Sequence, residues 1–191
     1  MRILREVGIA VLVAVGVFLL LQWNVGSYTV RYNSMLPSIR HGDWIMVNKA
    51  SYRHSEIRRG DVIVFDPPAA VNSEWPYIKR VIGLPGELIE VKDGKVLIDG
   101  RPLEEPVRIP EPEYTMPAMR VPADEYFVLG DNRNNSNDSH RFGTVSRDDI
   151  IGRAWFVYWP GDRLMVIQHF RYPELNGVLA VEVAAGGLEG A

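Results

Sequence analysis

The chain has 191 residues, a formal net charge of −3 and no cysteine, a length that suits one domain with a modest insertion and a real core. A near-neutral balance without a basic run among aromatics argues against a nucleic-acid partner. The lack of Cys excludes disulfides, thiolate chemistry and Cys-type zinc sites, and the four His, at 41, 54, 140 and 169, have no ligand spacing, so no metal is expected.

Met1 to Glu6 is a short charged head, and Val7 to Val30 carries no charge. A helix from about Ile3 to Trp23, rising ~1.5 Å per residue, covers the ~30 Å hydrocarbon core of a bilayer. Trp23 falls in the interfacial belt, and Arg2 and Arg5 hold the N-terminus in the cytoplasm. Residues 1–24 therefore read as a cytoplasmic head and single transmembrane anchor in the cell (inner) membrane, with the rest of the chain on the outer face. A cleaved signal peptide is the competing reading, with small residues near Val25-Gly26-Ser27. The length of the apolar run and the immediate resumption as a strand favour a retained anchor.

Ser27 to Tyr32 is predicted as a strand ending at Asn33-Ser34-Met35-Leu36-Pro37. His41-Gly42-Asp43 turns the chain into an alternating strand, Trp44 to Lys49, and Arg58-Arg59-Gly60-Asp61 repeats the device before Val62 to Phe65. A rigid loop from Asp66 to Ala70 leads to Tyr77 to Ile82, a strand by its β-branched and aromatic residues. Two cations, Lys79 and Arg80, sit inside it and point to opposite faces. If either face is covered, one cation leaves water, and a desolvated Lys becomes a base. An edge strand with a snorkelling Lys is the plainer alternative.

Asp93-Gly94 between Leu88–Lys92 and Lys95–Ile98 signals a hairpin. The Pro- and Glu-rich stretch 101–122 suggests an extended surface excursion, and 87–124 reads as an inserted small sheet. Tyr126 to Leu129 returns to the core and delivers the polar segment 130–141, an Asx-rich turn in its simplest reading. Ile150 to Pro160 is a last long strand, and 174–191 is an Ala/Gly-rich tail. Helical periodicity is absent beyond the anchor, so an all-β, antiparallel ectodomain over 25–173 is expected. Ser34 is a poor nucleophile until a base takes its proton; Lys79 and His140, near Asp138, are the candidates.

The segments 33–39, 42–49, 59–65 and 77–86, followed by Gly130 to Arg133 with Ser136, Asp138 and Ser139, resemble the ordered boxes of bacterial type I signal peptidases over about 30–160. The resemblance implies a membrane-bound serine endopeptidase that removes signal peptides from exported preproteins after a small residue, by a Ser/Lys dyad and an acyl-enzyme. It implies Ser34 as nucleophile, Lys79 as general base and Ser136 as the group orienting the amine. Arg80 and Asp131 would pair, Asp138 would support the Ser136 loop, and Ile39, Tyr77 and Ile78 would line the pocket before the cut. No metal or organic cofactor is implied; the partners are signal peptides and the lipid bilayer. Two positions depart from the family. Tyr32 stands where a Ser or Gly is common, and alternation from Ser34 makes its ring a wall of the substrate cleft. His140 stands where an Arg often pairs with the Asp. Two other classes compete: a self-cleaving repressor-type protease, which would carry a DNA-binding domain in place of an anchor, and a catalytically inactive, membrane-tethered β-module.

Overall fold

The fold is that of a computed structural model, which describes residues 2–53, 55–105, 109–172 and 175. Helix α1 spans Arg2–Asn24. From Arg5 it is long and apolar enough to cross a membrane, with mean hydropathy 2.1, and its residues from Arg5 to Leu19 are exposed. It runs directly into strand β1, Val25–Thr29. Two bonds grip its last residue: Lys49 N–H donates to Asn24 O at 2.8 Å, and Arg53 Nη1 donates to Asn24 Oδ1 at 2.9 Å.

The strand expected at 27–32 thus starts and ends earlier. β1 pairs with β2, Trp44–Asn48, from Val25↔Asn48 to Thr29↔Trp44. Val30 and Gly42 close that ladder through Val30 N–H to Asp43 O and Gly42 N–H to Val30 O, both 2.8 Å. Arg31, Tyr32 and Asn33 are left exposed beyond it.

The remaining strands are β3 (Val62–Phe65), β4 (Tyr77–Gly83), β5 (Leu88–Lys92), β6 (Lys95–Ile98), β7 (Arg101–Pro102), β8 (Met116–Arg120), β9 (Glu125–Leu129), β10 (Val145–Ser146), β11 (Ile150–Trp159) and β12 (Met165–Val166). The main antiparallel sheet has the order β1-β2-β11-β3-β4-β9-β10, with β12 on β11; a second has the order β7-β6-β5-β8. The all-β expectation holds, and the second sheet lies within 87–124. Its hairpin turns at Asp93 and Gly94, both at positive φ (51° and 74°), as an Asp-Gly turn of this kind requires. β8, inside the stretch read as an excursion, is an addition: it is an edge strand, where Pro117 is tolerated. Pro106 to Arg108, and the tail beyond Pro173 apart from Leu175, lie outside the described residues. A four-residue helix α2, Ser139–Phe142, is too short to leave a period in the sequence.

Both faces of the central strands are covered. Val62 and Val64 pack with Val30, Met35, Ile45 and Val157, while Ile63 and Phe65 pack with Val81, Tyr126 and Val128. The second sheet covers Ile82, Phe127 and Leu129. Lys79 and Arg80 are therefore both buried, 4% and 0% exposed, and the snorkelling alternative fails. β4 pairs with β3 along Tyr77 to Arg80 but with β9 only from Arg80 onward. One side of Tyr77 to Lys79 therefore has no neighbouring strand, and two loops meet there.

Candidate active site

The first loop carries Ser34. Its turn is closed by Ile39 N–H to Met35 O at 2.8 Å, and both side chains are fully buried. The second loop, after β9, clamps it: Asn132 N–H donates to Ser34 O at 3.0 Å, Asn132 Nδ2 to Asn33 O at 3.1 Å, and Ser38 Oγ to Asp131 Oδ2 at 2.6 Å.

Lys79 enters from β4. Its Nζ stands 2.8 Å from Ser34 Oγ, donates to Ile78 O at 3.0 Å and lies 5.0 Å from the centre of the Tyr77 ring. Burial pulls the Lys79 pKa down to about 8, against the opposing pull of the Asp138 and Asp131 carboxylates. Desolvation removes the charged form's hydration without supplying an anion in contact, so it outweighs the two carboxylates. An amine of this kind carries an appreciable neutral fraction near pH 7, and its lone pair can accept the Ser34 proton.

The supporting charges are paired. Arg80 Nε and Nη2 donate to Asp131 Oδ1 and Oδ2, each at 2.8 Å, and Arg80 Nη1 donates to Gly60 O and Gln168 O at 2.9 Å. Asp138 caps α2, accepts from Gly130 N–H at 3.0 Å and lies 2.5 Å from His140 Nδ1. His140 also stacks on Tyr114, with centroids 4.1 Å apart. Of the two candidate bases it is Lys79 that touches Ser34, while His140 takes the place beside Asp138 where the family often has Arg.

Two expectations need correction. Ser136 reaches the site, 5% exposed, but its Oγ has no hydrogen-bond partner. The amine's contacts are Ser34 Oγ and Ile78 O, and the Ser136 hydroxyl rests beside Gly130. Ile39, expected in the pocket wall, is 0% exposed in the cluster of Val30, Met35 and Ile45. The tight turn after Ser34 drives it inward, so it supports the wall from behind.

A cleft of about 710 Å³ opens over the pair, lined by Ser34, Lys79, Tyr32, Tyr77, Ile78 and Ser136 together with residues from β1, β3 and the 130–141 segment. Tyr28 and Val30 line it too; counting back by twos from Ser34 and Tyr32 would have found them. Arg31 and Trp75, whose side chains stack with Arg31 Cζ 3.6 Å from the ring centre, had no signal in the sequence. Among the described residues no cluster of His, Asp or Glu could hold a metal ion.

A serine hydroxyl against a buried amine, at the floor of an open cleft, is the equipment of a hydrolase with an activated nucleophile. The family described as Signal peptidase, peptidase S26, matches residues 2–159. Signal peptidase I of Leptolyngbya laminosa is 44% identical over 166 residues, covering 84% of this chain and 80% of that protein. Signal peptidase I of Bacillus caldolyticus is 38% identical over 148 residues, 70% of this chain and 79% of the relative. A crystal structure of a signal peptidase I from Enterococcus faecalis V583 aligns over 52% of this chain and 97% of its own, at 31% identity and a TM-score of 0.45. The chain belongs to the signal peptidase family, peptidase S26. It is a serine protease of the kind that cleaves signal peptides, in a family that is typically membrane-associated.

Proposed function

We propose that the chain works through Ser34 as nucleophile and Lys79 as general base, held at the cell membrane by residues 1–24 with the catalytic part, 25–173, on the outer face. The observation that carries this reading is the 2.8 Å approach of Lys79 Nζ to Ser34 Oγ, with an amine whose pKa burial lowers to about 8. Neutral Lys79 takes the Ser34 proton as Oγ attacks the carbonyl carbon of the small residue that precedes the cut. The resulting ammonium then protonates the departing amine of the mature protein. A water attacks the acyl-enzyme and Lys79 takes its proton; the ammonium returns that proton to Ser34 Oγ as the ester bond breaks, and the signal peptide leaves with a new carboxyl group that ionises in solvent.

Within this mechanism Arg80 and Asp131 fix the strand under Lys79, Asp138 holds the 130–138 loop, and Ser136 lines the cleft beside Gly130. Tyr32, Tyr77 and Ile78 form cleft walls, and the Ser34 N–H serves as an oxyanion donor. The sheet within 87–124 is an insertion, and 174–191 a tail. The test is cleavage of a synthetic signal-peptide substrate: Ser34→Ala should abolish turnover, Lys79→Ala should lower kcat by about 10²–10⁴-fold or more, and His140→Ala far less. Equal losses in His140→Ala and Lys79→Ala would replace this mechanism with a Ser/His one. The topology is tested by protease added outside spheroplasts, which should degrade the catalytic part, while a soluble product starting near Tyr28 would remove the anchor.

A further inference from the structure

The chain carries a net charge of −3, yet its cleft does not share that sign. The lining includes Arg31, Lys79 and Arg141 and no carboxylate. The carboxylates around the cleft stand outside its lining. Asp131 is bound by Arg80 and Asp138 by His140, both fully buried; Asp66 acts on Tyr28, and Glu74 is exposed next to Trp75. Once Lys79 is neutral, the formal charges left on the cleft wall are two guanidiniums.

The cleft also has a direction. Ser27 and Tyr28 line it within four residues of the end of α1, and Tyr28, Val30, Val64 and Ile78 form one apolar cluster in its lining. An apolar signal segment reaching the site from the bilayer meets this cluster first. The lining that the 130–141 segment adds, beside Ser34 and Tyr77, is polar: Asn135, Asn137 and Arg141, with Asn137 Nδ2 3.4 Å from the Tyr77 hydroxyl. The residues after the cut must run across this polar part. Arg141 is exposed there, and its Nε donates to His140 Nε2 at 3.1 Å. It forms no ion pair among the described residues, and the rest of its guanidinium is open to a ligand.

We infer that Arg141, with Asn135 and Asn137, forms a subsite for the first residues of the mature protein, and that this subsite selects peptides with a carboxylate just after the cut. The inference rests on the Ser34/Lys79 reading of the cleft. Arg31 has a different role, since its guanidinium is stacked on Trp75. A part-exposed charge pair has a modest effect, so the preference should be about three- to tenfold and should shrink as salt rises.

The experiment compares three peptides that share one signal segment and carry Asp, Asn or Lys at the first two positions after the cut. kcat/KM is measured with the full-length protein in detergent micelles, at low and high salt. Binding of the same peptides to Ser34→Ala is measured by fluorescence anisotropy, so that a variant with weak turnover still reports. The Asp peptide should exceed the Lys peptide about three- to tenfold at low salt, Arg141→Gln should bring the ratio close to one, and Arg141→Glu should invert it. Arg31→Gln should keep the ratio above one, and Asp placed before the cut should bring no gain. An Asp-to-Lys ratio of one in the unaltered protein, a ratio kept in Arg141→Gln, or one lost only in Arg31→Gln each overturns the assignment. Those results leave the proposed mechanism standing if Ser34→Ala alone stops turnover. A fully active Ser34→Ala would instead sink the mechanism and the subsite with it.

Discussion

Arg80 and Asp131 meet through two parallel hydrogen bonds of 2.8 Å, with side chains 1% and 0% exposed. Asp131 also accepts from Ser38 of the nucleophile turn, and the Arg80 guanidinium lies 3.5 Å from the centre of the Phe170 ring. One carboxylate thus joins the base strand, the turn of Ser34 and the loop after β9. Asp131→Asn leaves the guanidinium buried without a counter-charge, a change that typically costs about 3–5 kcal/mol. Urea unfolding should show a loss of that size, with turnover falling in parallel; a loss below about 1 kcal/mol would mean that the pair is not the brace described.

The pH dependence follows from Lys79. kcat/KM should rise with pH, bend near 8, where half of the amine is neutral, and level off about one unit higher. Asp138 is the larger of the two carboxylates holding that value up, so Asp138→Asn should move the bend to lower pH. A profile whose bend stays in place in Asp138→Asn would show that the carboxylate does not act on the amine.

The same group sets a stability window. Its folded pKa, about 8, lies below the ordinary lysine value of 10.5, so the folded state binds fewer protons between those values. The cost of burying the ammonium is complete below pH 8 and is relieved as pH rises toward 10.5. Lys79→Met, close in shape and without charge, should therefore be inactive yet more stable at pH 7, by up to roughly 3 kcal/mol. Thermal melts at pH 7 and pH 10 check this, because the gain should fade at the higher pH.

Gly130 is needed for space. A Cβ there would overlap Ser136 Oγ and the Ser34 carbonyl oxygen. The hydroxyl can rotate, but the carbonyl moves only if the nucleophile moves. Displacements near 1 Å cost about a hundredfold in rate, so Gly130→Ala should lose kcat on that scale while still folding. Near-normal kcat in Gly130→Ala would show that the two loops have slack.

Tyr32 lines the cleft with 60% of its surface exposed, in keeping with a wall that substrate covers. Tyr32→Phe should stay within a few-fold of the unaltered protein, and Tyr32→Ala should mainly raise KM. A kcat drop of about 10²–10³ in Tyr32→Phe would make the phenol an oxyanion donor.

The strands carrying Lys79 and the Asp93-Gly94 hairpin were legible because alternation, β-branching and turn chemistry are local properties. So was the burial of Lys79, as one outcome of a strand with cations on both faces. The partners were not local: Arg80 meets Asp131 across 51 residues, and nothing in the polar 130–141 segment separates a brace from a plain turn. The resemblance supplied that pairing. Ile39 was misplaced because a position in a motif does not say which way a tight turn throws the side chain. Arg31 and Trp75 were missed because their contact joins two loops with no period of their own. β8 was hidden by Pro117, which an edge position permits.

Asn24 is the point where helix and catalytic body become one piece. Its carbonyl and its side chain are both taken by the segment after β2, and no flexible tether separates α1 from β1. With α1 in the bilayer as proposed, the reacting serine hangs at a fixed height, ten residues past the helix, at most about 35 Å along a fully extended chain. The protein then acts as a depth gauge: it tests how far a cleavable bond lies beyond the end of an apolar segment as well as which side chains flank it. Preproteins whose cut lies too close to the membrane-buried stretch would be passed over however well their residues fit.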